Sequence, residues 1–329
     1  MLIKNPKGWE LPERLATPEY IFMNRRAFIA GAGSIAASSL LPFAAAMAAA
    51  SEDPTADLYP AKRNGKYKLK RDITPEDINA TYNNFYEFYA PSLFALPGAE
   101  KRIAEAAQKL PIRPWEVKID GLVEKPFTIG IDELIRKMTL EERLYRHRCV
   151  EAWSMTVPWS GFPMSELVKL AQPLSSAKYV RMETFFMPKV APGQKTKSYP
   201  WPYVEGLTMA EANNELTFMV TGAYGKPMAK QFGAPLRLAV PWKYGFKHIK
   251  SIVRFEFTDK RPKSFWQGLS DAEYGFWANV NPQVSHPRWS QATERVLGES
   301  SRIPTQIYNG YGEWVAHLYK DMKGEKLFM

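Results

Sequence analysis

Cysteine is almost absent from this 329-residue sequence, which contains a single one, Cys149. Exported proteins usually carry cysteines in pairs, as disulfides, and a lone cysteine cannot form an internal bridge. It is an inert buried thiol, an intermolecular link, or a metal ligand or nucleophile. One thiol also excludes an iron–sulfur cluster and covalently attached haem, each of which requires more than one cysteine.

Other catalytic signatures are also missing. The four histidines are widely separated, and none lies at the spacing of a zinc site. The sequence has no Walker phosphate-binding loop and no Gly-x-Ser-x-Gly motif. These absences argue against zinc enzymes, P-loop nucleotidases and α/β-hydrolases.

Glycine is less common than proline, with 20 residues against 26, which predicts many extended segments and few long helices. The 18 Phe, 16 Tyr and 10 Trp residues are enough for a substantial core. The net charge of +10 is strongly positive. A basic surface can attract nucleic acid, an anionic membrane or an anionic cofactor, and charge alone does not choose among them.

An export signal is predicted over residues 1–50. Arg25 and Arg26 precede an uncharged, alanine-rich run over residues 27–50, a pattern typical of a twin-arginine signal and therefore of a periplasmic protein. A membrane anchor is the alternative, because the run is long enough to span a bilayer, but it is only weakly hydrophobic. The twin-arginine route carries folded proteins, often with a cofactor in place, so a cofactor is expected.

The rest of the chain has strand-like and helix-like stretches in irregular order, which predicts an α+β fold with β-rich mixed sheets and short helices. Strands are predicted at Trp115–Val123, Tyr145–Ala152, Lys178–Thr184, Leu216–Thr221, Leu236–Val240 and Ile249–Thr258. Helices are predicted at Asp132–Met138, at Ser165–Ala171 and after a capping box at Thr208–Glu211. Residues 51–80 are interpreted as a polar lead-in and residues 81–329 as one catalytic domain.

Cys149 has the most distinctive surroundings. The Arg-His-Arg string at 146–148 places positive charge beside the thiol, which predicts a lowered pKa and a thiolate. Thiolate is a soft ligand suited to a redox metal. In a strand, Glu151 and Trp153 would share the face of Cys149, so a carboxylate and an indole would line one cavity with the sulfur. A buried, inert core cysteine is the alternative.

A second stretch, Arg237–Ile252, interleaves cations with aromatic residues. Such a stretch could grip single-stranded nucleic acid, or hold the phosphate of an organic cofactor. A strand pair with lysines reaching towards solvent is the structural alternative. Export argues against nucleic acid as the partner.

A third stretch, Tyr82–Tyr89, places the adjacent residues Asn83 and Asn84 within an aromatic run. Neighbouring asparagines are unusual in a strand and suit a loop whose amides contact a polar ligand. An ordinary aromatic-rich loop fits the pattern equally well.

Taken together, these segments resemble one family, the catalytic subunits of periplasmic protein-methionine-sulfoxide reductases, which belong to the sulfite oxidase fold superfamily. The resemblance is carried by Asn83–Glu87, Arg146–Met155, Val157–Pro163, Tyr199–Gly206, Val240–Lys247, Tyr274–Pro282 and His286–Arg295. These strings are long, chemically unusual and in the same order as in the family. They extend over nearly the whole chain after the predicted signal.

The resemblance implies a sulfite-oxidase-like molybdopterin domain that holds one molybdenum–molybdopterin cofactor. Cys149 would supply a thiolate to the metal, and Glu151 would lie in the substrate cavity. The implied cofactor contacts are Asn83 or Asn84, Tyr86, Glu87, Thr184, Arg237, His248, Ile249 and Lys250. Two positions depart from the family pattern, since Phe232 stands where Asn is expected and His248 where Gly is expected.

The implied reaction is the reduction of methionine sulfoxide in oxidised periplasmic proteins, with electrons from a membrane haem-containing partner subunit. Two alternatives stay open. The first is a molybdopterin enzyme acting on another small sulfoxide, an N-oxide or sulfite; for sulfite, Arg146 or Arg148 would have to reach the metal. The second is a non-enzymatic exported binding protein with an inert Cys149.

Overall fold

The computed structural model describes residues 53–82, 84–89 and 98–329. The predicted signal peptide at 1–50 and Asn83 lie outside the described residues, so the predicted division of the chain at residues 50 and 80 stays a prediction. Residues 53–329 cluster into one unit. Within the described ranges, no helix combines the length and the apolar character needed to span a bilayer.

Most of the regular structure is β-strand. The strands are β1 (Glu116–Gly121), β2 (Phe127–Gly130), β3 (Glu141–Arg148), β4 (Trp153–Pro163), β5 (Tyr179–Thr184), β6 (Val204–Thr208), β7 (Phe218–Ala223), β8 (Lys226–Pro227), β9 (Arg237–Ala239), β10 (Ile252–Thr258), β11 (Thr293–Val296) and β12 (Arg302–Pro304). They form a five-stranded sheet in the order β2-β1-β10-β5-β6, and a seven-stranded sheet in the order β12-β11-β4-β7-β8 with β3 beside β4 and β9 beside β7. Each sheet contains one parallel pair, β1 with β10 and β4 with β11, among antiparallel pairs.

The helices are short. They are α1 (Glu76–Thr81), α2 (Ala99–Ala107), α3 (Ile131–Lys137), α4 (Met164–Ala171), α5 (Met209–Ala212), α6 (Phe265–Leu269) and α7 (Gly312–Val315). α5 begins at the predicted capping box, in which the Thr208 side chain accepts the backbone N–H of Glu211 and the Glu211 carboxylate accepts the backbone N–H of Thr208. The predicted α+β fold with mixed sheets and short helices is confirmed.

Five of the six predicted strands coincide with β1, β5, β7, β9 and β10 to within a few residues. The sixth prediction, Tyr145–Ala152, is wrong at its carboxyl end. β3 ends at Arg148, and residues 149–152 form a turn into β4. The chain reverses there because β3 and β4 pair antiparallel along their full overlap, from Glu141 with Gly161 to Arg148 with Ser154.

β4 is the central strand of the larger sheet, and it is almost completely buried. It pairs with β3, β7 and β11 at different points along its length. At Gly161 the backbone of β7 comes so close that an added Cβ would lie 2.0 Å from the carbonyl oxygen of Met219. Only glycine permits this approach, so Gly161 fixes the packing of β7 on β4.

The segment that follows α1 is anchored by aromatic packing. Phe85 and Phe88 are fully buried, with their rings edge to face at 4.9 Å. Phe85 also meets Phe185, just beyond β5, at 6.4 Å. These contacts fix the short 3₁₀ turn Tyr86–Phe88 against the smaller sheet, so the polar residues beside it have defined positions.

Candidate active site

Cys149 is presented by the tight turn between β3 and β4. The Ala152 N–H donates to the Cys149 carbonyl oxygen across 3.1 Å, and the Cys149 N–H donates to the Trp153 carbonyl oxygen across 2.9 Å. Ala152 has φ 60°, in the left-handed region that lets the chain reverse in so few residues. The sulfur therefore comes from a turn, and not from the strand that the sequence predicts.

The turn nevertheless brings a carboxylate and an indole to the sulfur. Glu151 Oε2 lies 3.8 Å from Cys149 Sγ and accepts hydrogen bonds from Trp153 Nε1 at 3.2 Å and Asn84 Nδ2 at 3.1 Å. Asn84 Nδ2 is also 3.8 Å from the sulfur. Asn84 therefore joins the Tyr86–Phe88 segment to the Cys149 turn, and it orients the Glu151 side chain.

The thiol is protonated in the protein without a metal. Burial raises the pKa of Cys149 well above its usual value and the Glu151 carboxylate raises it further, while the Glu151 N–H and the charges of Arg148 and Lys250 only partly offset this. The lowered thiol pKa expected from residues 146–148 is therefore wrong. A metal bound here must displace the proton, because the thiolate is the ligand form.

The cations that precede Cys149 point elsewhere. Arg148 is completely buried and pairs with Glu294 at 2.9 Å. Arg146 donates to Gln306 at 2.6 Å. His147 faces the cavity, but burial lowers its pKa well below the usual value and keeps the ring neutral. The positive charge expected beside the sulfur is thus compensated by Glu294 at Arg148, directed to Gln306 at Arg146, and absent at His147.

The sulfur lies in a cavity of about 870 Å³, a volume that includes the mouth open to solvent. Of the predicted site residues, those that line it are Asn84, Tyr86, Glu87, Cys149, Glu151, Arg237 and Lys250. Aromatic side chains form much of the remaining wall, among them Tyr82, Trp153, Tyr203, Phe246, Trp266 and Tyr274. A pocket with apolar walls and a few convergent polar groups is typical of a ligand site.

Two cations on one wall lack a paired carboxylate within the described residues. Arg237 is buried and donates to the carbonyl oxygens of Phe232 at 2.7 Å and His248 at 3.4 Å, while its Nε has no partner there. Lys250 Nζ donates to the Asn84 carbonyl oxygen at 3.0 Å. Burial lowers the pKa of Arg237 to about 9 and that of Lys250 to about 7. Buried cations without an anion are costly, so this wall favours an anionic ligand.

Glu87 is the one buried carboxylate among the predicted cofactor contacts. Burial raises its pKa to about 7, although the charge of Lys250 acts in the opposite direction. A carboxyl group that holds its proton near neutral pH can donate a hydrogen bond to a polar ligand.

Three predicted contacts, Thr184, His248 and Ile249, are not among the residues that line the cavity. Thr184 Oγ1 donates to the Lys250 carbonyl oxygen at 2.7 Å. The Ile249 carbonyl oxygen accepts the Leu238 N–H of β9 at 3.0 Å. In the structure these residues hold the backbone that carries Lys250 beside the wall.

His248 is one of the two positions at which the resemblance predicts a different residue. Burial lowers its pKa to about 3, so the ring is neutral. Its Nε2 lies 2.9 Å from the Val240 carbonyl oxygen and must carry the proton, because a carbonyl only accepts. Its Nδ1 then accepts from His147 Nδ1 at 3.2 Å. Among the described residues, the His248 side chain is linked to the cavity wall through His147.

Phe232 is the other position at which the resemblance predicts a different residue, and it lines the cavity. It packs edge to face on Trp159, with centroids 6.1 Å apart. Its backbone oxygen still holds Arg237. The position thus provides an apolar surface and a carbonyl acceptor, but no side-chain amide.

Sequence reasoning missed Gln231 and Trp266, which also line the cavity. Trp266 lies on α6, whose N-cap Ser264 accepts the Gln267 N–H at 3.3 Å. Such a cap could have indicated the helix, but no pattern in the sequence indicates that the helix faces Cys149.

Comparison with known proteins gives three findings. Residues 105–266 match a family model described as "Oxidoreductase molybdopterin binding domain". The protein-methionine-sulfoxide reductase catalytic subunit MsrP of Burkholderia mallei (strain ATCC 23344) is 44% identical over 328 residues, which covers 98% of this chain and 96% of that protein. Among solved structures, the sulfane dehydrogenase SoxCD from Paracoccus pantotrophus is similar over 46% of this chain and 40% of that chain, with 19% identity and a TM-score of 0.39. The domain match confirms the predicted molybdopterin-binding fold.

Proposed function

Because the chain belongs to the family of protein-methionine-sulfoxide reductase catalytic subunits, we propose that it is a molybdopterin-dependent oxidoreductase that reduces methionine sulfoxide in proteins to methionine. The observation that carries the proposal is the meeting of the Cys149 sulfur, the Glu151 carboxylate and the unpaired cations Arg237 and Lys250 in one open cavity.

The residues present fit a molybdenum–molybdopterin cofactor. A buried thiol offers the soft ligand that such a metal requires. The unpartnered Arg237 Nε–H and the Lys250 ammonium offer donors and positive charge to a phosphate-bearing anion. Glu87 and the Asn84 amide offer polar contacts to a ring system. We assign Cys149 as the metal ligand, and these other residues as cofactor contacts together with Asn83 and Tyr86. Thr184, His248 and Ile249, which the family resemblance also implies as cofactor contacts, lie outside the cavity lining and are assigned to holding the backbone of Lys250.

The overall reaction consumes two electrons and two protons for each sulfoxide and releases one water. When bound, a molybdenum cofactor held by Cys149 would supply the two-electron redox chemistry of this reaction. Glu151 lies at the exposed mouth of the cavity with Oε2 beside the sulfur, so it can carry protons between solvent and the reacting oxygen. Asn84 and Trp153 hold that carboxylate in place.

The aromatic wall suits the organic part of the substrate. Tyr86, Trp266 and Tyr274 line the cavity, and the Trp266 ring contacts both tyrosines, at 4.8 and 4.9 Å. Sulfur-containing side chains make favourable contacts with aromatic rings. The cavity opens to solvent, which a methionine sulfoxide residue on a protein surface requires.

The position of the arginines argues against sulfite as the substrate. A site for a small dianion needs several cations near the reacting centre. Arg148 is bound to Glu294, and Arg146 to Gln306, outside the cavity. The remaining cations, Arg237 and Lys250, are assigned to the cofactor.

Location and electron supply complete the proposal. The twin-arginine pattern at Arg25 and Arg26 supports export of the folded protein to the periplasm. The described residues contain no second cysteine and the sequence no haem-attachment motif. We therefore propose that electrons come from a membrane haem-containing partner subunit, and that oxidised periplasmic proteins are the substrates.

The test is metal analysis of the exported protein from molybdate-fed cells, beside Cys149→Ala. We expect about one molybdenum per chain in the wild type, and loss of molybdenum or of its redox activity in the variant. Wild-type protein supplied with a reduced viologen dye should convert methionine sulfoxide in an oxidised protein to methionine. Folded, exported wild type without molybdenum would instead favour a non-enzymatic binding protein.

A second variant tests the role of the Glu151 carboxylate independently of metal binding. Glu151→Gln should keep its molybdenum but lower kcat by about 100-fold, because a positioned proton donor contributes factors of this size. The acidic limb of the pH profile should change as well. Loss of molybdenum from Glu151→Gln would show that the carboxylate is needed for cofactor retention and would contradict the proton-transfer role.

A further inference from the structure

A second cavity lies on the other side of β3 from Cys149. It encloses about 1060 Å³, including its open mouth, between the segment Lys66–Arg71 and residues 303–314. Arg146 of β3 reaches this cavity, whereas the next residue, His147, lines the Cys149 cavity. Successive strand residues point to opposite faces, so the two cavities are separated by the sheet. We call the second cavity the basic groove.

Cations outnumber carboxylates in the basic groove. The lining cations are Lys66, Lys68, Lys70, Arg71 and Arg146, and the lining carboxylates are Glu294 and Glu313. Glu294 is already shared between Arg71 at 3.0 Å and Arg148 at 2.9 Å. Among the described residues, Lys68, Lys70 and Arg146 form no ion pair. The groove therefore carries uncompensated positive charge.

Two guanidinium groups at the base of the groove have buried N–H groups without a partner among the described residues, Arg71 Nη1 and Arg146 Nε. A buried donor without an acceptor costs free energy. Arg146 is held by Gln306 and lies over the Tyr311 ring at 5.4 Å. A Cβ at Gly310 would lie 1.8 Å from Arg146 Nη2, so a side chain at position 310 would displace this guanidinium from its present place.

The rim and floor of the groove suit a chain of residues and not a small ion. Lys66, Lys68 and Lys70 are exposed at alternate positions along one rim, while Tyr67 between them is buried. Alternate residues are at most about 7 Å apart, which matches the side chains on one face of an extended peptide. The Tyr67 and Trp314 rings, 5.6 Å apart, provide an apolar floor.

From these observations we infer that the basic groove binds an extended acidic segment of a partner protein. Carboxylates of the segment meet Lys68, Lys70 and Arg146, which form no ion pair among the described residues, while its backbone lies over the aromatic floor. This inference does not depend on the activity proposed for the Cys149 cavity.

The test uses the full chain with its cofactor and a fluorescein-labelled peptide of alternating glutamate and serine, followed by fluorescence anisotropy. We expect binding that weakens as salt increases. Lys68→Gln/Lys70→Gln should weaken it about fivefold, the sum of two exposed ion pairs, and Arg146→Gln should weaken it at least as much. A peptide with glutamine in place of glutamate should not bind.

The matched control is Lys260→Gln/Lys263→Gln, which removes the same charge from exposed positions outside the groove. This variant should bind the acidic peptide like the wild type. Equal weakening in both double variants would show attraction to net charge alone and overturn the inference. So would the absence of peptide binding, or a site that takes inorganic phosphate but not the peptide.

Discussion

The indole Nε1–H of Trp289 donates to the carbonyl oxygen of Val150 across 2.7 Å, within the turn that carries Cys149. Gln291 Nε2 donates to the same oxygen, also at 2.7 Å. The ring of Trp289 stacks on His286, with centroids 3.8 Å apart. The segment before β11 thus holds the Cys149 turn from outside the cavity, and this contact can be tested without touching a cofactor ligand.

Trp289→Phe keeps an aromatic ring and removes the hydrogen bond. We expect the free energy of unfolding to fall by about 1 kcal/mol, the usual net value of such a bond, in a denaturant titration. Trp201→Phe is the matched control, because Trp201 Nε1 has no partner among the described residues. Equal effects of the two changes would mean that ring packing, and not the bond to Val150, stabilises the turn.

Two lysines in the protein interior should respond oppositely to substitution by methionine. Lys243 pairs with Glu211 at 2.6 Å, so Lys243→Met leaves a buried carboxylate without its cation and should cost about 3–5 kcal/mol. Lys250 has no paired carboxylate among the described residues, so Lys250→Met should leave the cofactor-free protein at least as stable as the wild type. Thermal unfolding measures both.

The molybdenum content supplies a second measurement on Lys250→Met. Lys250→Met should lower the molybdenum bound per chain, because it removes a cation from the cavity wall. Full loading of Lys250→Met would show that the cofactor does not use this side chain. A marked loss of stability without cofactor would show that Lys250 has a structural role.

Gly161→Ala should disrupt the larger sheet. The new methyl group would lie 2.0 Å from the Met219 carbonyl oxygen, so β7 has to move, and overpacking of this kind costs about 1–3 kcal/mol. Gly130→Ala is the control, since nothing lies within 4 Å of its added Cβ and its φ is −65°. Its effect should stay below about 1 kcal/mol. Chemical denaturation measures the free energy of unfolding of both variants. Similar decreases in the two variants would contradict the close approach of β7 to β4.

A charge network on the smaller sheet predicts a pH-dependent contribution to stability. Burial raises the pKa of Asp120 and of Glu183, but hydrogen bonds and charge from Arg254 and neighbouring cations lower both overall, below 3.8 and 4.5 respectively. Carboxylates with a depressed folded pKa stabilise the protein above their unfolded pKa, and this contribution is lost as pH falls through the folded value.

Arg254→Gln should therefore cost about 1 kcal/mol at pH 7, since the network is partly exposed. The difference from the wild type should shrink as the pH falls below 4, where the carboxylates become protonated. Urea titrations at several pH values measure it. A difference that stays constant from pH 7 down to acid would mean that Arg254 contributes by packing alone.

The sequence predicted local elements well where a short pattern decides them. The capping box at Thr208 and Glu211 needs only four residues, and β5 alternates buried and half-buried positions. β4 was missed because it is buried on both faces, which removes the alternation, and because it contains Pro158. Proline is normally excluded from central strands, yet here it pairs with Leu144 of β3.

The candidate site, too, could be predicted from the sequence only where local patterns decide its geometry. The grouping of Cys149, Glu151 and Trp153 was expected from a strand, but a turn produces it. Local charge predicted a low thiol pKa, whereas burial and the Glu151 carboxylate raise it, and Arg148, paired with Glu294, only partly offsets this. Those two residues are 146 positions apart in the chain, so no local pattern could have revealed their contact.

The attachment of β4 to three neighbouring strands has a consequence for how a cofactor is taken up. The turn that begins at Cys149 enters directly into the most heavily paired strand of the larger sheet, and two side chains from the segment before β11 hold its Val150 carbonyl oxygen. The polypeptide therefore orders the Cys149 turn before any ligand binds. Because the turn does not have to be ordered on binding, the affinity for a ligand is not reduced by that entropy cost. A chain with such a turn needs little rearrangement to bind a cofactor after it has folded.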